Sequence, residues 1–489
     1  MQPGNVTDHE GHDPGRVHPN VILAVLCLAG MAYAALSSAV IPALPTLERA
    51  LHTHETGVAW VLTGFLLSAS VGTSVIGRLG DMYGKERLLL FTLVALAVGT
   101  LIDALSNSLI ILIAGRIVQG LAGGIFPLAF AIARDEFPRD RVAGSIGLMS
   151  SILGIGGGGG IVVGALIVEH LGWHWLFWLP LVLIVVAALA TWRFIPESPI
   201  RVPGKVNWVA GSLMSVGLSV VLIAIAQTTV WGWGSSKTLL LLAAGLAVCG
   251  VWIVVETRSR VPLIDMTMMR IRGVWTTNLA AFLIGGGMYA SFIIFPQFAQ
   301  LPRRTGFGFG SSVVTSALYL LPAALGMSVL GTAAGRVARR FGSKFALVAG
   351  TAVVTGAFAL LIPAHGAPID LLASATLLGI GMGLAFAALG NLIVEAVRPD
   401  QTGAAAGMNT VMRTLGGALG GQISATFIAG HVHDGLPTVT GFTDSFIMAT
   451  AFLAVAIGAG LAIPGRRTRT RSIDAGPRIG LEPELAEVE

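Results

Sequence analysis

Gly77-Arg78-Leu79-Gly80-Asp81-Met82-Tyr83-Gly84-Lys85-Glu86-Arg87 carries five charged side chains in eleven residues and joins two stretches that carry almost none. The flanking apolar runs, near 56–78 and 88–106, are each about the 20 residues a helix needs to cross a hydrocarbon layer of about 30 Å. The charged turn also recurs. Gly335-Arg336-Val337-Ala338-Arg339-Arg340-Phe341-Gly342-Ser343 follows the same pattern 258 residues later, again between apolar runs. Gly120 and Gly124 recur as Gly379 and Gly383, and Gly144 as Gly403, each 259 residues on. A near-constant offset through loops and helices is the mark of a duplicated unit. Two like units side by side in a membrane, related by an axis along its normal, place a site near mid-depth between them.

Composition agrees. Of 489 residues 54% are hydrophobic and only 11% charged, against roughly 25% charged in soluble domains. So little charge on so long a chain requires lipid as part of the solvent. The 64 glycines, costly in soluble helices, let membrane helices approach closely. Cys27 and Cys249 sit in apolar runs, where packing is the expected role. Seven histidines near span ends show no zinc-like spacing, and no metal, cofactor or catalytic constellation is expected. Ala32-Tyr33-Ala34 imitates a signal-peptide cleavage site, but the acidic, His-rich leader before it does not, and the repeat needs this segment as a first span.

Apolar runs of membrane-spanning length lie near 21–45, 56–78, 88–106, 109–133, 142–168, 173–194, 208–227, 238–256, 273–298, 311–335, 344–363, 368–396, 402–430 and 444–464, about fourteen spans in all. The expected organisation is an all-α polytopic membrane protein. It has a tail at 1–20, a six-helix half at 21–194, a loop with two inserted spans at 195–272, a second six-helix half at 273–464, and a basic then disordered tail at 465–489. Basic residues sort by side. One set of loops and the C-terminal tail hold nearly all of them, whereas the other set holds only Arg49, Lys237, Arg303 and Arg304. The positive-inside rule then puts both termini in the cytoplasm. The tail arginines, from Arg466, act as a stop-transfer flank or meet anionic headgroups. The same sorting assigns the high isoelectric point to membrane orientation rather than to nucleic acid.

Within the spans, Arg116, Gln119 and Gly120 share one helix face at i, i+3 and i+4. Arg116 lies about eight residues into the fourth span, and Arg413 about eleven into the thirteenth, near the midplane at about 1.5 Å per residue. An intramembrane arginine faces the bundle interior or a water-filled cavity. Asn409 stands one turn before Arg413. Asp103, in the third span, either pairs with Arg116 or snorkels to the outer surface. Gly156, Gly160 and Gly164 form a small-residue stripe at i, i+4 and i+8, suited to close packing or a hinge. No Lys-Ser/Thr follows it, so a phosphate-cradling loop is excluded.

On the motif from Gly77 to Arg87, on Arg116-Ile117-Val118-Gln119-Gly120, and more weakly on Ala43-Leu44-Pro45, Trp173-His174-Trp175-Leu176-Phe177 and Trp231-Gly232-Trp233-Gly234, the chain resembles the major facilitator superfamily, specifically its fourteen-spanner drug:proton antiporter branch. The resemblance covers essentially Val21 to Pro464 and implies the major facilitator fold. It further implies that Gly77, Arg78, Asp81, Gly84, Lys85 and Arg87 latch the cytoplasmic ends of the two halves in one state, and that Arg116 sits beside a protonatable carboxylate of the first span. Here that span has no carboxylate, and Leu36 stands where the branch usually has Asp. The fifth-span glycines resemble the antiporter signature, with Ile161 in place of its Pro and Ala165 in place of its last Gly.

The expected function is a plasma-membrane exporter of small amphipathic molecules that works by alternating access as a monomer among lipids, with protons as a possible co-substrate. Two alternatives are an uncoupled or lipid-like solute transporter of the same fold, and a transport-inactive sensor or scaffold. Both mid-depth charges are positive, so neutral or anionic substrates are expected over strong cations, with Asp103 the first candidate for any proton carrier.

Overall fold

The computed structural model describes residues 18–53, 55–197, 207–259 and 262–464. The expected tails, with the arginines from Arg466 onward, lie outside the described residues, as do Arg201 and Lys205 of the loop before the inserted spans.

Helices dominate because a chain in lipid must satisfy its own backbone N–H and C=O groups within each span. The first half comprises α1 (Pro19–Ala39), α2 (Glu55–Tyr83), α3 (Lys85–Leu105), α4 (Leu109–Glu136), α5 (Arg139–His170) and α6 (Trp175–Phe194). The inserted pair is α7 (Trp208–Ala226) and α8 (Ser236–Arg258). The second half comprises α9 (Arg272–Gln300), α10 (Val313–Phe341), α11 (Ser343–Leu361), α12 (Pro368–Ala396), α13 (Thr402–Gly430) and α14 (Val439–Ala462). Among the described residues 13 helices are long and apolar enough to cross a membrane. The remaining rod, α13, has 29 residues but falls below that hydropathy because it carries Asn409, Arg413, Gln422 and many glycines. It packs against α9, α2 and α14 rather than standing in lipid, so it does not need an apolar surface all round.

Each half has its own core. Ile22, Leu26, Leu36, Leu93 and Phe177 are buried in the first, and Phe295, Phe298, Phe358, Phe442 and Phe446 in the second. Between helices in lipid there is no hydrophobic driving force, so close backbone approach carries the packing. Glycines supply it. A Cβ on Gly416 would lie 1.7 Å from the Phe282 carbonyl oxygen, and one on Gly285 2.1 Å from that of Arg413. These contacts bring the α9 and α13 backbones together. In the same way α7 meets α8 through Gly217 and Gly245. The outer face of α8 (Leu239, Leu240, Leu246, Val251) is exposed, as a lipid-facing helix requires.

The duplicated turns adopt one geometry. Gly84, between α2 and α3, has φ 115°, and Gly342, between α10 and α11, has φ 90°. This left-handed backbone favours glycine, so the two glycines 258 residues apart serve one turn in each half. Hereafter the end of the bundle holding these turns is the motif end, and the other the far end. The far end also carries a small antiparallel hairpin, Val432–His433 with Leu436–Pro437.

Candidate functional site

The motif end is shut by two contacts related by the duplication. Gly77 of α2 abuts Gly403 of α13, where a Cβ on either would lie 2.5 Å from the other's carbonyl oxygen. Gly335 of α10 abuts Gly144 of α5, where a Cβ on Gly335 would lie 2.5 Å from the Gly144 Cα. Gly77 repeats as Gly335 and Gly144 as Gly403, so these are one contact made twice, each time between opposite halves.

Charge secures the first of them. Asp81 is 1% exposed, and its Oδ2 accepts a hydrogen bond of 3.2 Å from the Ala404 N–H. Ala404 lies in the first turn of α13, whose early N–H groups have no intrahelical partner and whose positive dipole end attracts an anion. Asp81 therefore caps a helix of the other half. Lys85 forms a buried ion pair with Asp135 of α4, and Arg87 meets Glu197 at 3.3 Å. Both of those contacts stay within the first half and its following loop. Arg134 reaches across, donating to Thr402 Oγ1 at 2.7 Å and to the Val397 carbonyl at 3.0 Å.

The inserted pair also reaches this end, through a segment the sequence did not single out. Glu256 of α8 is 2% exposed and accepts from the N–H groups of Leu263 and Ile264 at 2.9 and 3.2 Å. Those two residues, with Met268, pack onto Val274, Ile393, Val397 and Ala405. Asp265 Oδ2 accepts from Gln401 Nε2 at 3.0 Å, immediately before α13. Partial burial opposes ionisation of Asp265, yet hydrogen bonds from Thr267 outweigh it and hold the carboxyl below its ordinary range.

Above the closed end lies a cavity of about 420 Å³ between the halves, within the size range of small-molecule sites. At mid-depth it is lined by Tyr33, Phe65, Phe126, Tyr289, Phe386 and Arg413. The lining continues toward the far end along Ile41, Leu44, Ala226 and Gln422. Among the described residues that line it there is no aspartate or glutamate, and Arg413 is the one charge.

The structure separates the two mid-depth arginines. Arg413 lines the cavity, its guanidinium 4.8 Å from the centre of the Phe386 ring. Arg116 does not. It is fully buried behind Phe65, with its guanidinium 4.3 Å from that ring's centre. Its Nε donates to the Val61 carbonyl at 3.2 Å, and its Nη1 donates to Gln119 Oε1 at 2.7 Å. Gln119 Nε2 in turn donates to Asp103 Oδ2 at 2.8 Å. Asp103 is fully buried, so snorkelling to the outer surface is excluded, and its link to Arg116 runs through Gln119 rather than by direct pairing. Asp103 Oδ1 and Arg116 Nη2 are buried with no hydrogen-bond partner among the described residues. Asn409 also lies off the cavity, where its Nδ2 donates to Asn278 Oδ1 at 2.9 Å and ties α13 to α9.

The glycine stripe lies along α1. A Cβ on Gly156 would meet the Ala34 Cβ at 2.5 Å, one on Gly160 the Ser38 Oγ at 2.2 Å, and one on Gly164 the Ala39 carbonyl oxygen at 2.2 Å. Ser38 Oγ donates to the Gly156 carbonyl at 3.2 Å. Gly157, by contrast, lines the cavity, with open space where its Cβ would be.

Sequence reasoning missed the aromatic floor. A signal was present, since the chain has only four tyrosines and both Tyr33 and Tyr289 fall mid-span, where a phenol needs a reason.

Comparison with known proteins fits this architecture. The chain is 28% identical over 434 residues to the tetracenomycin C resistance and export protein of Streptomyces glaucescens, covering 86% of this chain and 78% of that one. It is 26% identical over 376 residues to multidrug resistance protein 3 of Bacillus subtilis strain 168, covering 75% and 72%. Among solved structures, the human organic anion transporter MFSD10 (TETRAN) superposes with a TM-score of 0.66 at 16% identity, over 90% of this chain and 99% of that one. At that identity the likeness speaks to the fold alone. The profile of the Major Facilitator Superfamily matches residues 26–421, a span that runs from α1 into α13 and takes in both glycine turns, Tyr33, Tyr289 and Arg413, and the chain belongs to that superfamily.

Proposed function

We propose that the chain is an exporter of small amphipathic molecules, of the multidrug or antibiotic-efflux type, working by alternating access in the plasma membrane. The observation that carries this reading is the cavity between the halves, closed at one end by the twin contacts Gly77–Gly403 and Gly335–Gly144. These are contacts between the two halves, so a rocking motion that parts them opens the same cavity toward the motif end. The positive-inside distribution makes that end cytoplasmic, with both termini on that side. The arrangement then corresponds to a state closed to the cytoplasm, with substrate leaving at the far end. Apolar and aromatic walls suit amphipathic ligands of varied shape, and the relatives named for tetracenomycin C export and multidrug resistance support the reading. An inert scaffold has no need of such a cavity. The test is accumulation of a chemically diverse panel of amphipathic compounds in cells with and without the gene. Lower accumulation of a subset in expressing cells supports export, and equal accumulation across the panel overturns it.

One observation favours a second reading of the energetics, in which transport is uncoupled from protons. No carboxylate is among the described residues that line the cavity, and Asp103 is fully buried outside that lining. If protons are carried, Asp103 is the first candidate for the carrier, linked to the cavity wall through Gln119, Arg116 and Phe65. Proteoliposomes under an imposed pH gradient decide. Gradient-driven efflux lost in Asp103→Asn supports coupling at Asp103, and efflux indifferent to the gradient supports the uncoupled reading.

A further inference from the structure

The floor of the cavity holds hydrogen-bond donors that the protein leaves unused. Ser37, Ser38, Thr73, Thr410 and Thr414 all line the cavity, and each donates its hydroxyl to a backbone carbonyl of its own or a neighbouring helix. Arg413 differs. Among the described residues its guanidinium has no hydrogen-bond or carboxylate partner, only the face of Phe386. The hydroxyls of Tyr33 and Tyr289 likewise lack a partner among the described residues, and both phenols line the same cavity as Arg413. Backbone packing fixes this grouping. Gly417 lies one turn beyond Arg413 on the same face of α13, and the Tyr289 ring lies against it, 2.5 Å from where a Cβ would be. Tyr33 comes from the other half and is held by the rings of Phe65 and Phe126 at centroid distances of 5.8 and 6.3 Å.

Three donors from both halves thus share one cavity at mid-depth, whose described lining residues include no carboxylate. An unpaired cation in an apolar site is costly unless something of opposite charge joins it. Arginine and phenol donors together match an oxyanion, and the surrounding rings match a flat apolar body. We propose that Arg413, Tyr33 and Tyr289 form an anion subsite that receives the carboxylate or phenolate of an aromatic amphipathic substrate. Because Tyr33 and Arg413 belong to opposite halves, a bound oxyanion also bridges the parts that must move. This inference rests on the exporter reading and narrows its substrate class.

The test uses three matched fluorophores: anthracene-9-carboxylate, its methyl ester, and anthracen-9-ylmethyl-trimethylammonium. Binding to the purified full-length protein is followed by quenching of tryptophan emission at pH 7. The carboxylate is expected to bind at least about tenfold more tightly than the ester, and the ammonium ion more weakly than both. That factor is one charge-assisted contact of about 1.4 kcal/mol. Arg413→Gln should abolish the preference for the carboxylate over the ester while leaving ester binding within about twofold, and Arg413→Lys should restore part of it. If Arg413→Gln does not fold, judged by its melting temperature, the pair Tyr33→Phe and Tyr289→Phe is read instead, with about a threefold loss for the carboxylate alone. Equal binding of carboxylate and ester by the wild type overturns the subsite. So does a preference unchanged in the variants, or failure of all three probes to bind. None of these outcomes touches the exporter reading, which stands or falls on the compound panel.

Discussion

Replacing Asp81 tests how the motif end is held shut. In the structure Asp81 Oδ2 accepts the Ala404 N–H at 3.2 Å from a nearly solvent-free position at the start of α13. Asp81→Asn keeps a carbonyl oxygen for that N–H but loses the charge facing the helix dipole, a term of about 1 kcal/mol that rises toward about 2 when partly buried. Asp81→Ala loses the cap as well, roughly another 1 kcal/mol. If the closed state alone contains this contact, each kcal/mol lost favours opening about fivefold. The two variants should thus open the motif end about 5-fold and about 30-fold more often. Asn391 is a suitable reporter, since it is 3% exposed and its Nδ2 reaches the Ala143 carbonyl across the two halves. Asn391→Cys, with Cys27 and Cys249 replaced, is labelled in inside-out vesicles with an impermeant maleimide. Labelling should accelerate in the order parent, Asp81→Asn, Asp81→Ala, and transport should fall in both variants while insertion is retained. Rates equal in all three proteins would refute the cap as a determinant of closure.

Gly403→Val should abolish transport with normal insertion, because its side chain would strike the Gly77 carbonyl oxygen, and Gly335→Val should reproduce the defect at the duplicated contact. Transport by either at the parent rate removes the twin-contact latch. Gly160→Leu should lower thermal stability in detergent through overpacking against Ser38, by about 1–3 kcal/mol, whereas Gly157→Ala should leave it unchanged because open space awaits the methyl group. Asp103→Leu strands Gln119 and Arg116 in the core and should cost about 3–5 kcal/mol. Asp103→Asn preserves a hydrogen-bonding side chain there and should cost clearly less, as measured by melting of the purified proteins. Asp265→Ala removes the contact with Gln401 and should modestly accelerate labelling of Asn391→Cys, which ties the inserted pair to the latch.

The sequence made the spans and their duplication legible because lipid imposes a simple rule, one long apolar run per crossing, and the repeated glycine turns survive as Gly84 and Gly342. The resemblance placed Asp81 in a latch between the halves, but the helix it caps depends on how the halves meet, a contact 323 residues apart. Arg116 and Arg413 looked alike in the sequence, both mid-span and both cationic. Only packing separates them, since Phe65 screens one from the cavity and the glycine contact between α9 and α13 presents the other to it. Asp103 read equally well as a partner of Arg116 or as a surface acid, and the core position of Gln119 between the two decides it. The hydropathy that identified the other spans understated α13, because a helix buried in protein can carry the polar residues that a lipid-facing one cannot. The docking of Asp265 onto Gln401 left no pattern in the sequence, as it joins two short loops with no periodicity.

In the proposed function, opening and closing of the motif end moves amphipathic molecules through the cavity. The most direct measurement is flux in proteoliposomes of the purified chain, preloaded with a compound selected from the accumulation panel and compared with Gly403→Val and with protein-free vesicles. A saturable, protein-dependent flux that falls to the protein-free rate in Gly403→Val is the expected result. Flux by the wild type indistinguishable from that of protein-free vesicles, with the protein inserted and folded, would contradict it.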